Sequence, residues 1–226
     1  MVYDHPKYEE FNYLKFLQKY MRYTGPKNKI ARRNTTDLGM KTTGSKSHAS
    51  LLKKINIKPG QHGARYRRKV SEHAKQLTEK QKLRYLFGIT ETKLKKYFTV
   101  SSRKEGNTAV HLSALLERRL DNVVYRLGLA PTRAAARQLV SHGHMLINEK
   151  KMDIPSYLLK NNDTVTFKSP KTKEIPYIQE FRETNEIIIP EWLESKKDSG
   201  KLVKTPDNSL IEKQVNLRLV IEFYSR

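Results

Sequence analysis

The chain has 226 residues, of which 37% are hydrophobic and 30% charged, and its formal net charge is +22. This length allows one or two modest cores, and the charge would oppose compaction unless a polyanion neutralises it, so nucleic acid is the leading candidate partner. The chain contains no cysteine, which excludes disulfides and thiolate metal sites, and no apolar run approaches the length of a membrane span.

The positive charge is concentrated in the N-terminal half. Residues 19–105 carry 24 Lys and Arg against 5 Asp and Glu, whereas residues 169–226 carry 10 of each. We therefore expect the N-terminal region to supply most of the phosphate-binding surface, with an RNA affinity that falls steeply as salt rises.

The first part of the chain is interpreted as a docking helix followed by a basic arm. Aromatic and aliphatic residues at helical spacing predict a helix over residues 7–21, and the first 20 residues lack the apolar core of a signal peptide. Residues 23–58 are rich in Gly, Thr, Ser, Asn and Lys without an apolar period. We expect this stretch to lack a core of its own and to order only against a partner.

A basic cluster follows a glycine-flanked turn. Gly60 and Gly63 enclose His62, and four cations come directly afterwards, namely Arg65, Arg67, Arg68 and Lys69. Two helices are then predicted: one over residues 71–87 that stops at Gly88, and one over residues 91–104, capped by Thr90 and stopping at Gly106.

Residues 116–127 predict an amphipathic helix with a basic edge. An apolar stripe recurs at helical spacing in Leu116, Leu120, Val123 and Leu127, beside a second stripe of Arg119, Asn122 and Arg126. Gly128 and Pro131 end this helix.

Thr132 can cap a second helix, on which Arg133 and Arg137 share a face. Gly143 ends that helix, and Met145 begins a strand that turns near Asn148. Two helices thus present arginines from a sheet-backed platform. The alternative is a helical hairpin whose arginines are only solvated.

The C-terminal part is predicted to add strands. Residues 164–167 and 187–189 are short β-rich runs. The closing NLRLVIEFYSR alternates, which predicts a final strand with one apolar side formed by Leu217, Leu219, Ile221 and Phe223.

Several dispersed motifs resemble the bacterial-type small-subunit ribosomal protein S-four family. After RLDNVVYRLG comes the order Thr-Arg-x-x-Ala-Arg-x-Leu-Val-x-x-Gly-His-x-x-Ile-Asn, which is similar to that family's RNA-binding module. RYTGPK at residues 22–27, PGQHGAR at residues 59–65, EKQK at residues 79–82, GNT at residues 106–108 and EFYS at residues 222–225 extend the likeness. One departure is Asn148-Glu149, where the family has Asn-Gly, so we expect a looser or longer turn there.

The resemblance implies an α+β fold: a helical domain plus an inserted RNA-binding domain made of a helix pair and a small antiparallel sheet. The predicted domains are an N-terminal extension over residues 1–20, a basic arm and helical domain over residues 21–110 completed by about residues 203–226, and the S-four-type RNA-binding domain over residues 111–202. The absence of cysteine places the chain with the zinc-free branch of the family, without metal or other cofactor.

The implied function is structural. The resemblance predicts a non-enzymatic constituent of the small ribosomal subunit, and a primary rRNA binder that nucleates assembly of the subunit body and contributes to translational fidelity. The implied partners are small-subunit rRNA, ribosomal protein S-five with other small-subunit proteins, and messenger RNA where it enters the subunit, but no membrane. The expected location is the ribosome of the cytoplasm, with an organellar ribosome as the alternative.

Basic faces and resemblance together predict rRNA contacts at Arg22, Tyr23, Lys27, Arg32, Arg33, Gln61, His62, Lys82, Arg84, Arg118, Arg119, Asn122, Arg126, Thr132, Arg133, Arg137, Gln138, His142, His144, Lys150 and Lys151. Arg65, Arg67, Arg68 and Lys69 are predicted to line the messenger channel, where they hold incoming strands apart or make a static rRNA contact.

Two other functions use the same module. One is a non-ribosomal RNA-binding or regulatory protein, which would not co-sediment with small subunits after a salt wash. The other is an RNA-modifying enzyme, which would need a separate α/β catalytic domain. Residues 1–105 are too basic and loop-rich, and residues 169–226 too few, to supply one.

Overall fold

The computed structural model describes residues 23–65, 69–173, 175–184, 189–196 and 199–225. The predicted helix over residues 7–21 lies outside this part of the chain, as do Ile187 and Ile188 of the predicted short strand. The helices are α1 (Lys27–Asn34), α2 (Lys46–Lys53), α3 (Glu72–Leu86), α4 (Glu91–Ser102), α5 (Thr108–Glu117), α6 (Leu120–Arg126), α7 (Arg133–Ser141), α8 (Pro170–Lys173), α9 (Pro176–Thr184), α10 (Ser209–Glu212) and α11 (Leu217–Tyr224). The strands are β1 (Met145–Ile147), β2 (Lys150–Lys151), β3 (Thr164–Phe167), β4 (Leu193–Lys196) and β5 (Ser199–Leu202).

Side-chain caps start the helices where the sequence predicts them. The Thr90 hydroxyl accepts a hydrogen bond from the Lys93 amide, and the Thr132 hydroxyl accepts one from the Ala135 amide. Each cap satisfies an amide that has no partner inside the helix. The predicted helices after Ser71 and Thr90 are confirmed as α3 and α4.

Residues 23–58 are more structured than expected. They form α1 and α2, and they bury Ile30, Ala31, Leu38 and Leu51. The Asp37 carboxylate joins the two parts, because it contacts His48 Nε2 at 2.7 Å and accepts a hydrogen bond from the Gly39 amide. The two helices were not expected from the sequence, which shows no apolar period here. None of the four buried residues belongs to the two main hydrophobic clusters, so the expectation that this stretch lacks a core of its own stays a prediction.

The predicted helix over residues 116–127 is broken in two. Helix α5 ends at Glu117 and α6 begins at Leu120. Between them Arg119 is extended and pairs with Leu158 as a β-bridge, and the Leu120 amide donates to the Tyr157 carbonyl. The apolar spacing is the same on either side of the break, so periodicity alone did not reveal it.

The closing segment is a helix, so the predicted terminal strand is wrong. The Asn216 side chain caps α11, and its buried residues Leu217 and Val220 are three positions apart. Ile221 and Tyr224 pack beside them. The segment NLRLVIEFYSR fits both a period of two and a helical stripe, and docking on the earlier helices decides between them.

The described residues form two hydrophobic cores. In the helical core, α3, α4 and α5 pack with α11 around Leu83, Leu94, Leu112, Leu116, Ile211 and Val220. In the sheet core, α6 and α7 pack on a five-stranded antiparallel sheet of order β2-β1-β3-β5-β4. The chain begins the helical core, leaves it for the sheet and returns to it at the end. The predicted α+β fold is confirmed, whereas the domain boundaries stay a prediction.

The hairpin between β1 and β2 is tight. Ile147 pairs with Lys150, which leaves a two-residue turn of Asn148 and Glu149, with φ values of 48° and 67°. The Asn148 side chain fixes this geometry, since it donates to Asp163 and accepts from the Thr164 amide. The expectation of a looser or longer turn was wrong, because these contacts hold the left-handed backbone that glycine would otherwise favour.

Candidate nucleic-acid interface

Arg133 lies in the first turn of α7, on the side that faces α6. Its Nε donates to Asn122 Oδ1 at 2.9 Å. The guanidinium carbon lies 4.4 Å from the centre of the Tyr125 ring and 5.1 Å from that of the Phe87 ring. Cation–π contacts of this kind hold the fork in one orientation without removing its charge.

The charge of Arg133 is not neutralised by any carboxylate that the structure describes. Burial and, to a smaller extent, nearby Arg126 together lower the pKa of Arg133 to about 10, against the opposing attraction of Glu117 and Asp121. The group is therefore still charged at neutral pH. In the described part of the chain Arg133 makes no ion pair with a carboxylate. A half-buried guanidinium without a carboxylate is suited to bind an external anion such as a phosphate.

Arg137, one turn later, is partly neutralised from within. Its Nη1 lies 3.6 Å from Asp121 Oδ2, and the side chain is 19% exposed. The two arginines of α7 do share a face, as the sequence predicts, but they differ in how much of their charge faces outward.

Arg119 is inside the protein, which corrects the prediction of an exposed basic edge. Its side chain is 2% exposed and makes a two-fold contact with Asp121, at 3.0 Å from Nε and 2.5 Å from Nη2. Nη1 donates to the Tyr97 hydroxyl. Burial lowers the pKa of Arg119, but Asp121 and Tyr97 outweigh burial and raise it overall. All three guanidinium nitrogens already bind Asp121 or Tyr97, so the predicted rRNA contact of Arg119 stays a prediction that the internal pairing does not favour.

The same correction applies to Asn122 and, in part, to Arg126. Glu117 is fully buried, and Arg126 Nη2 lies 2.6 Å from its carboxylate. Asn122 is also buried and joins this pair to Arg133, since it donates to Glu117 and accepts from Arg133. Burial lowers the pKa of Arg126, and Glu117 raises it above the usual value. The predicted basic edge is thus an internal network of paired charges.

The other predicted rRNA contacts fall into four groups. Exposed are Tyr23, Arg33, Gln61, His62, Gln138, His142, Lys150 and Lys151. Half-buried are Lys27, Arg32, Lys82, Arg84, Arg118 and His144. Thr132 is buried, and its hydroxyl caps α7. Arg22 lies outside the described residues. Contact with rRNA stays a prediction for all four groups.

Some half-buried cations already bind groups within the protein. Arg32 donates to the carbonyls of Ile57 and Lys58, and Arg118 donates to the Leu159 carbonyl. Lys82 Nζ lies 2.6 Å from Glu79 Oε1. In the predicted channel cluster Arg65 and Lys69 are exposed, and Arg67 and Arg68 lie outside the described residues.

The histidines form no metal centre where the structure describes them. The rings of His142 and His144 lie 6.2 Å apart, and within the described residues no group of three or more His, Asp or Glu side chains is placed to hold a metal ion. The absence of zinc stays a prediction. Of the helices in the described ranges, none has the length and apolarity needed to cross a membrane.

Sequence reasoning missed the acidic residues of this site. Glu117 and Asp121 flank the Arg118-Arg119 pair in a strongly basic chain, and that signal was available. Lys93 and Lys96 were also missed, although both are exposed on α4 and line a groove with Arg137. Their spacing of three residues is the only sign of that role in the sequence.

Comparison with known proteins places the chain in a family. The profile of the Ribosomal protein S4/S9 N-terminal domain matches residues 22–117, and that of the S4 domain matches residues 118–165. The chain is 46% identical to Small ribosomal subunit protein uS4 of Aquifex aeolicus over 213 residues, which cover 91% of this chain and 99% of that protein. It is 47% identical to the protein of the same name from Persephonella marina, with 90% and 98% covered, and 41% identical to that of Natranaerobius thermophilus, with 91% and 99% covered. The chain therefore belongs to the uS4 family of small ribosomal subunit proteins.

Proposed function

We propose that this protein is a structural constituent of the small ribosomal subunit that binds small-subunit rRNA. The observation that carries the proposal is the 46% identity over 91% of the chain to a protein named Small ribosomal subunit protein uS4. The charge agrees with it, because +22 on 226 residues calls for a polyanionic partner. So does Arg133, a charged guanidinium without a carboxylate partner in the described chain.

The finer part of the proposal concerns the place in the subunit. The protein binds rRNA early and nucleates assembly of the body, contacts ribosomal protein S-five, and reaches the channel through which messenger RNA enters. Support comes from the family motifs and from the basic residues 19–105. Arg65 and Lys69 of this region are exposed, and they follow a turn in which Gly60 has a positive φ. The proposed role is structural rather than enzymatic, since the relatives are named as ribosomal proteins.

The test is binding of the full chain to purified small-subunit rRNA, with large-subunit rRNA as the control, over a series of salt concentrations. We expect tight binding to the first, weaker binding to the second, and a log affinity that falls linearly with log salt for both. Equal affinity for the two rRNAs, or failure of the tagged protein to co-sediment with small subunits after a salt wash, would contradict the proposal.

A further inference from the structure

The beginning of the described chain places an aromatic surface beside α3. The rings of Tyr23 and Tyr85 meet edge to face with centroids 5.5 Å apart, and the Arg84 guanidinium carbon lies 4.5 Å from the centre of the Tyr85 ring. Tyr23 nevertheless remains 37% exposed. Arg84 and Tyr85 thus support a tyrosine ring that is still partly open to solvent.

The Tyr23 ring can occupy this position because residue 25 is a glycine. A Cβ atom at residue 25 would stand 2.6 Å from the Tyr23 hydroxyl oxygen and 2.8 Å from Cζ. These distances are well inside van der Waals contact, so any side chain at residue 25 would displace the ring. The Tyr23 hydroxyl also donates a long hydrogen bond of 3.5 Å to the Pro26 carbonyl.

An open groove of about 550 Å³ lies next to the aromatic surface. Its walls include Tyr23, Arg84 and Tyr85 at the aromatic end and Thr90, Glu91 and Thr92 at the start of α4. The Glu91 carboxylate is already held by Lys80 and Tyr224. This volume lies within the range of roughly 300–1,000 Å³ that small-molecule sites occupy.

A second groove of about 390 Å³ lies next to the first, because both are lined by Ile89, Thr90 and Thr92. It adds Lys93 and Lys96. Both lysines are exposed, and neither makes an ion pair with any carboxylate that the structure describes. The two neighbouring grooves therefore present tyrosine rings on one side of Thr90 and lysines on the other.

An unpaired nucleotide has the complementary chemistry. Its base offers a flat face that stacks on aromatic rings, and its phosphate is held by lysine, whereas a base inside a duplex has its faces covered. An acidic peptide would use the lysines but would leave the tyrosine ring without a role. The arrangement therefore favours RNA over protein as the occupant.

We propose that the two grooves together hold one unpaired nucleotide of the bound rRNA, with its base stacked on Tyr23 and its phosphate on Lys93 and Lys96. This inference rests on the rRNA-binding function proposed above. It specifies the feature of the RNA that is recognised here, which is a nucleotide whose base is neither paired nor stacked in a helix.

The test measures binding of full-chain variants to small-subunit rRNA over a salt series. Tyr23→Ala should weaken binding about 5- to 150-fold, which corresponds to the roughly 1–3 kcal/mol of one base–aromatic stack, and should leave the salt slope unchanged. Tyr23→Phe keeps the ring and should bind like the unchanged protein. Gly25→Ala keeps every functional group but displaces the ring, and should resemble Tyr23→Ala.

The lysines are tested with a matched control on the same helix. The double variant Lys93→Ala, Lys96→Ala should reduce the salt slope by about 0.7, the value for one phosphate of a single strand. Lys95→Ala removes an equally exposed cation that lines neither groove, and should leave the slope unchanged. The melting temperature of each variant shows whether the fold is retained.

Combining Tyr23→Ala with the double lysine variant asks whether one nucleotide spans both grooves. Loss of either end frees the same nucleotide, so the combined loss of affinity should be smaller than the product of the separate losses. Losses that multiply would overturn the single-nucleotide site.

Three other outcomes are distinguishable. If the variants bind like the unchanged protein, which itself binds rRNA tightly, the nucleotide site is wrong and the proposed function stands. If naked-rRNA affinity is unchanged but incorporation into subunits falls, an acidic protein occupies the grooves instead. If the unchanged protein does not bind small-subunit rRNA, the proposed function fails, and this inference fails with it.

Discussion

Arg119 and Arg133 are the same residue type in two opposite settings. Arg119 is buried and held by Asp121 and Tyr97, whereas Arg133 rests on two aromatic rings and makes no ion pair with a described carboxylate. The first arginine joins the helical core to the sheet core, and the second is available to an anion. Arginine content along a helix therefore does not show which charges are available to an anion; the position of the carboxylates does.

The largest effect is expected from removing Asp121, the acid that neutralises Arg119. Asp121→Asn should reduce the free energy of unfolding by about 3–5 kcal/mol, because it leaves a buried guanidinium without compensation. Chemical denaturation measures the change. Asp153→Asn, at an exposed carboxylate, is the control and should stay within about 0.5 kcal/mol. An equal effect in the two variants would mean that the buried pair has no special role.

The opposite change removes the charge of Arg133, which no described carboxylate neutralises. Arg133→Met keeps an apolar stem on the Tyr125 and Phe87 rings, so the free energy of unfolding should fall by only about 1 kcal/mol, for the lost bond to Asn122. Affinity for small-subunit rRNA should fall about tenfold or more, since a bond to a charged group contributes about 1.5–3 kcal/mol. The salt slope should fall by about 0.9.

Arg119→Met is the matched control for that measurement. It should lower stability because Asp121 loses its two-fold contact and keeps only the longer one with Arg137, without changing the salt slope of the protein that remains folded. A slope that falls equally in both variants would show that the distinction between the two arginines is wrong.

A smaller effect is expected at a paired cation of the helical core. Lys80 Nζ lies 2.9 Å from Glu91, and Tyr224 of α11 donates to the same carboxylate. Burial raises the pKa of Glu91, but the hydrogen bonds from Tyr224 and Lys80 outweigh it and bring the pKa below the usual 4.5. This stabilisation is therefore present above about pH 4.5 and is lost as pH falls through the lower pKa of the folded state.

Glu91→Gln tests this directly. At neutral pH it should lower stability by about 1 kcal/mol, a modest value because Glu91 is 38% exposed and solvent screens the pair. The difference from the unchanged protein should vanish in acid. Glu72→Gln removes a more exposed carboxylate that pairs with Lys75, and should change little at any pH. A difference that persists unchanged in acid would contradict the assigned titration.

The starts and stops of most helices, and the family, follow from the sequence alone. Thr90 and Thr132 cap helices, Gly88 and Gly128 take positive φ, and Arg133 and Arg137 share a face, all as local chemistry predicts. These features depend on residues within one or two turns of each other, so a single sequence contains them.

Features that depend on distant partners became visible only in the folded protein. NLRLVIEFYSR is a helix because α11 docks on α3 and α5, more than a hundred residues away. The tight turn at Asn148 depends on Asp163 and Thr164. Arg119 is buried because α4 brings Tyr97 to it and the break after α5 turns it inward toward Asp121. Local spacing gives the same stripe whether an arginine faces solvent or a carboxylate, and the contact that decides between them forms only when the two cores pack.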